Sequence, residues 1–228
     1  PASTFISCEI AEQNNRALSG LARTLGVQEK SVWCSVYLAL LSLLSGADEV
    51  LGTAITQGRP EIPDGEKMIG VFLNSLPMRA AMSGRRWTDL ITATDRELRE
   101  QHAFRHYPLP EIQRLSGLDF SAATFSYTNW HMYYEGVDRE GTREEWIPQK
   151  VGGWQDTNYL LTVVVSNDDK SERHHLGIAA DTSVFDAAFR ERIRGYVANI
   201  VDAIASDATA FIDRTALLSE SERHQQLV

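Results

Sequence analysis

The chain has 228 residues, 43% of them hydrophobic and 23% charged, a balance that supports a sizeable core and excludes an extended disordered chain. Its formal net charge is -9 with no cluster of Lys and Arg, so nucleic-acid backbones and anionic membrane surfaces are poor partners. The longest apolar stretch, Val32 to Leu44, is too short to span a bilayer, the start lacks the pattern of a secretion signal, and two cysteines do not make a disulfide scaffold; a cytoplasmic, reducing setting is expected.

In chain order, Thr4 to Ile10 alternates weakly and leads as a strand into an amphipathic helix. Leu18, Leu21, Ala22 and Leu25 mark one face of that helix, and Gly26 ends it. Ser31 to Leu44 is apolar nearly all round, which predicts a buried helix closed by Gly46, with Cys34 a buried free thiol. Glu49 to Thr56 reads as a strand, and Gly58, Pro60, Pro63 and Gly65 then make a breaker-rich loop. Val71 to Ala80 is the next strand. Its Pro77 predicts an edge or a bulge, because proline cannot donate to a central ladder.

Trp87, Leu90, Ile91, Thr94 and Leu98 mark a third helix, with Ser83 or Thr88 near its start, and a short helix to Leu115 follows Pro108 and Pro110. Ala122 to Tyr133 predicts a long strand on which Phe125, Tyr127, Asn129 and His131 share a face. Gly136 to Asp156 is a polar loop, Tyr159 to Val165 a strand covered on both faces, and Leu176, Ile178 and Ala180 alternate in another strand. Asp186 caps a long helix carrying Phe189, Ile193, Val197, Ile200 and Ile204. Strands and helices mix without a repeating unit. That predicts an α+β fold with a mixed sheet covered by helices mainly on one face.

Self-contained chemistry is not visible. His102 and His106 are four apart but lack a following glutamate, so no metal site is expected. His174 and His175 fall on successive strand positions and point to opposite faces; an exposed turn pair is the expectation. Glu144-Glu145 and Asp168-Asp169 read as solvated charge runs. No local set supplies nucleophile, base and oxyanion donor together, so no catalytic residue is expected in this chain.

One segment is far more specific. Ile69-Gly70-Val71-Phe72-Leu73-Asn74-Ser75-Leu76-Pro77-Met78-Arg79 follows a strand ending Leu51-Gly52-Thr53-Ala54 and a Gly58-Arg59-Pro60 loop, and precedes His106-Tyr107-Pro108-Leu109. In this order the segments resemble the condensation domain of nonribosomal peptide synthetases, and the resemblance runs over essentially the whole chain. Pro110 stands where that family usually has glutamate.

The resemblance implies a chloramphenicol acetyltransferase-like lobe. It implies residues 1–217 as the C-terminal lobe of a condensation domain and 218–228 as the start of a linker toward an adenylation domain. Amide formation between a carrier-bound donor thioester and a carrier-bound acceptor amine is the implied reaction. No cofactor would bind directly, since substrates arrive on phosphopantetheine arms of donor and acceptor carrier proteins. The family's His-His-x-x-x-Asp-Gly motif does not occur in the sequence, so the lobe alone is expected to be inactive and to need the N-terminal lobe.

Asn129, with Tyr127 and Phe125, is the expected tunnel lining, the aromatic pair meeting water when the partner lobe is absent. Gly70, Asn74, Arg79, Arg59 and Pro108 are the expected structural motif positions. The loops Gly58 to Lys67 and Gly136 to Asp156 are the expected crossings to the other lobe. A non-catalytic carrier-docking module of the same fold is the alternative.

Overall fold

The structure, a computed structural model, describes residues 3–129, 158–168, 173–219 and 222–224. The expected loop Gly136 to Asp156 and His131 lie outside the described residues. Strand β1 (Ser3–Cys8) is followed by helices α1 (Glu12–Leu25) and α2 (Glu29–Ser45), strands β2 (Glu49–Gln57) and β3 (Leu73–Ala81), and helices α3 (Trp87–Gln101) and α4 (Leu109–Ser116). Strands β4 (Ala123–Asn129), β5 (Leu161–Asp168) and β6 (Arg173–Asp181) and helix α5 (Ala187–Ser206) follow among the described residues. One sheet holds the six strands of the described residues in the order β1-β6-β5-β4-β2-β3. Its centre is parallel, β2 beside β4 and β4 beside β5, and both flanks are antiparallel.

Helix α2 is the pillar of the core. Val32, Trp33, Cys34, Val36, Tyr37, Leu38 and Leu40 are all buried, because the helix meets β2 and β4 on one side and α1, α3 and α5 on the others. Burial raises the Cys34 thiol to about 12, so it is an inert core residue. The left-handed residues Gly26 and Gly46 end α1 and α2 where a side chain would be strained. Gly52 is required by a close approach: a Cβ there would collide with the Tyr37 hydroxyl, which accepts the Thr53 N–H at 3.2 Å.

Strand β3 is an edge, as Pro77 demands, and α3 seals it. Gln101 Nε2 donates to the Pro77 carbonyl at 2.5 Å and Glu97 accepts the Arg79 N–H at 3.3 Å. Asp186 caps α5 by accepting the Phe189 N–H at 2.7 Å. Thr88 stands in the first turn of α3, near its start as expected. The residue before its first turn is Arg86, not a hydroxyl residue, and its N–H is satisfied by Asp89 three positions on. The C-terminal segment packs on α5. Asn199 Nδ2 donates to the Leu217 carbonyl at 2.8 Å, and the Tyr196 hydroxyl donates to Glu222 at 2.5 Å.

Candidate functional site

The parallel strands β2, β4 and β5 end together at Gln57, Asn129 and Asp168, and open sheets place their ligands outside such carboxyl ends. Helix α2 begins at the same end, since Lys30 reaches the Ile55 carbonyl at 3.3 Å. Asn129 closes β4 in register with Asn167. Two residues earlier, the Tyr127 hydroxyl lies 3.0 Å from His174 Nε2, and the same nitrogen lies 3.1 Å from Glu29 Oε2.

Asn15 clamps the His174 backbone, accepting its N–H at 3.0 Å and donating to its carbonyl at 3.4 Å. The Trp33 ring covers the imidazole at a centroid distance of 5.2 Å. His174 is therefore not an exposed turn residue. It is 3% exposed, while His175 on the opposite face is exposed. Burial holds His174 below the ordinary imidazole range, and the Glu29 carboxylate recovers only part of that loss. The Glu29 acceptor favours the proton on Nε2. Nδ1 is buried with no hydrogen-bond partner among the described residues. This group pins β6 to α1, α2 and β4.

Phe125, an expected tunnel residue, is fully buried and stacks on Tyr37 at 5.6 Å. The helix-facing side of β4 is core in this lobe, which corrects the expectation that Phe125 meets water; Tyr127 is half-buried and engaged with His174. Of the motif positions, Asn74 joins two sequence segments, its Nδ2 donating to the carbonyls of Tyr107 at 2.7 Å and Arg105 at 3.1 Å. Arg59 donates to the carbonyls of Gly65 at 3.1 Å and Met68 at 2.6 Å and lies over the Phe72 ring. Pro108 starts α4 by accepting the N–H groups of Glu111 and Ile112. Arg79 makes an exposed pair with Glu49, which adds little stability, and Gly70 is exposed.

The expected crossing loop, Gly58 to Lys67, closes on this chain's own surface: Arg59 ties it internally, and Glu61 faces His102 at 3.5 Å and Arg105 at 3.7 Å. What projects instead is the following stretch, with Ile69, Val71 and Leu73 in solvent and Val71 90% exposed. Among the described residues no group of three metal-ligating side chains occurs. Lys30 also faces this end of the sheet, in a cleft between α2 and α3, and burial holds its ammonium below the ordinary lysine range. Sequence reasoning missed Lys30 and the Asn15–Glu29–His174 cluster. Their partners lie far apart in the chain and form no local pattern.

Solved structures with the same fold supply the class. The condensation domain from Monacolin K polyketide synthase MokA matches with a TM-score of 0.72 at 14% identity, covering 92% of this chain and 48% of that one. A four-domain nonribosomal peptide synthetase matches at 0.74 and 12% identity, covering 93% of this chain and 17% of that one. The fold is thus the chloramphenicol acetyltransferase-like α+β fold of condensation domains.

A family model described as the condensation domain matches residues 3–227, and the chain belongs to that family. A linear gramicidin synthase of Brevibacillus parabrevis is 30% identical over 227 residues, taking in 96% of this chain and 4% of that protein. Tyrocidine synthase 2 of the same organism is 25% identical over 224 residues, taking in 96% of this chain and 6% of that protein. The chain spans a small part of these synthetases.

Proposed function

We propose that this chain is the C-terminal lobe of a nonribosomal peptide synthetase condensation domain. In the reaction the acceptor amine nitrogen attacks the donor thioester carbonyl. The amide C–N bond forms, the C–S bond breaks, the thiol leaves on the donor arm, and the amine proton passes to a base. The observation that carries this reading is the family match over residues 3–227 joined to a coverage of 48% of a structurally similar condensation domain. The sequence lacks His-His-x-x-x-Asp-Gly, so the base belongs to the other lobe.

The exposed apolar stretch Met68, Ile69, Val71 and Leu73 supports the same reading, since contiguous exposed apolar surface of this kind marks an interface. Its occupant is the N-terminal lobe. This lobe then supplies one wall of the substrate tunnel at the carboxyl ends of β2, β4 and β5, with Asn129 positioning the acceptor. Donor and acceptor carrier proteins deliver their phosphopantetheine-bound substrates there, and an adenylation domain is the neighbour in the synthetase.

The test is to incubate the chain with loaded donor and acceptor carriers and follow the amide by mass spectrometry. No product is expected from the chain alone, and turnover is expected from the intact domain. There Asn129→Ala lowers turnover by about tenfold to a hundredfold, the scale of a lost positioning contact. Product from the chain alone refutes the reading; unchanged turnover in the variant removes Asn129 from the site.

A further inference from the structure

The acyl-transfer reading leaves the cleft beside Lys30 without a use. Its volume is about 340 Å³, and its lining includes Lys30, Arg99, His102, Thr56, Leu76 and Leu98. Among the described residues no carboxylate lines it, although the chain is acidic overall. The nearby charges are accounted for one by one. Arg99 is spent on Asp95 Oδ2 at 2.5 Å, and Asp95 Oδ1 is taken by the Ser31 hydroxyl at 2.7 Å and the Gln28 N–H at 3.0 Å. His102 faces Glu61, which also meets Arg105.

Lys30 remains. It has no carboxylate partner among the described residues, and its one acceptor is the Ile55 carbonyl at 3.3 Å. An ammonium has three donors, so two are left for a ligand. A half-buried cation without a counter-charge either loses its proton or recruits an anion, and among the described residues lining the cleft no carboxylate competes for that role. The opposite wall, with Leu76 and Leu98, is aliphatic.

We propose that this cleft binds a small organic anion, a carboxylate or phosphate monoester on a short aliphatic body, with its oxygens on Lys30 Nζ and its carbon chain against Leu76 and Leu98. The site does not depend on the amide-forming reading and needs no second lobe.

The chain has four lysines, Lys30, Lys67, Lys150 and Lys170, which makes the test direct. The full chain is isotope-labelled at lysine Cε, the Lys30 signal is assigned by its loss in Lys30→Met, and propyl phosphate or butyrate is titrated at constant ionic strength. The expected result is a saturable shift of the Lys30 signal alone, the tighter ligand naming the acid group preferred. Calorimetry on Lys30→Met should show binding weaker by about tenfold or more, the scale of one lost charge-assisted contact, with Lys30→Arg retaining most of it. A Lys30 signal that fails to saturate with either ligand, moving as Lys67 does, overturns the proposal. So does a folded Lys30→Met that binds as tightly as the parent. Should that variant not fold, the titration of the parent chain decides alone.

Discussion

Asn74→Asp exchanges a donor for an acceptor where two carbonyls converge. Asn74 Nδ2 holds the Tyr107 and Arg105 carbonyls at 2.7 and 3.1 Å, fixing the turn before α4 onto β3. Removing both bonds at this half-buried position, as Asn74→Leu would, costs about 1–2 kcal/mol. A carboxylate adds repulsion against both carbonyls, bringing the loss to about 3 kcal/mol near neutral pH. For a domain of this size that lowers the midpoint of thermal unfolding by about 6–12 °C.

The pH dependence has a definite sign. The introduced carboxyl is disfavoured in its charged form by the carbonyls, so its folded pKa rises above the unfolded value of about 3.9. The deficit is therefore full at neutral pH and shrinks as pH falls through the raised folded value. Urea unfolding of parent, Asn74→Leu and Asn74→Asp across that range measures each quantity. An Asn74→Asp chain as stable as the parent at neutral pH would refute the assignment of Asn74 as the tie between the two segments.

His174 makes the parent itself sensitive to acid. Its folded pKa lies below the unfolded value of about 6.5, so the unfolded chain binds the proton first and stability falls as pH drops below that value; urea titrations should show this slope flattened in His174→Gln. Burial opposes ionisation of Asp95, but the bonds from Gln28, Ser31 and Arg99 outweigh it and hold its carboxyl below the usual range; Asp95→Ala should cost about 2–4 kcal/mol by the same assay, because it strands the start of α2. Tyr37→Phe leaves the Thr53 N–H without its acceptor in the core and should cost about 1–3 kcal/mol. Val71→Asp should change the unfolding free energy of the lone chain by less than about 0.5 kcal/mol and yet reduce turnover of the intact domain, since Val71 meets only solvent here.

Much of the lobe was legible because its signals are local. The apolar wrap of α2 announces a buried helix, Pro77 an edge strand, and Gly26 and Gly46 the helix ends. Asp186 reads as a cap for the same reason. What escaped depends on elements far apart in the chain. His174 looks like a surface residue until β6 is placed under Trp33 and Asn15, more than a hundred positions earlier. Phe125 and Tyr127 share a strand face, but only the packing of α2 shows that this face is core. Lys30 sits in a helix whose pattern signals burial, and nothing in that pattern reveals a missing counter-charge.

The sealed rim of β3 governs how this sheet can join other chains. Pro77 offers no proton, its oxygen belongs to Gln101, and the Arg79 amide belongs to Glu97. A strand arriving from that side would find successive docking points already taken, so templated growth of the sheet stops there. On that flank the sheet ends in a rim whose hydrogen-bonding groups are engaged within the chain itself, so a neighbour must meet it through side chains rather than through a shared ladder.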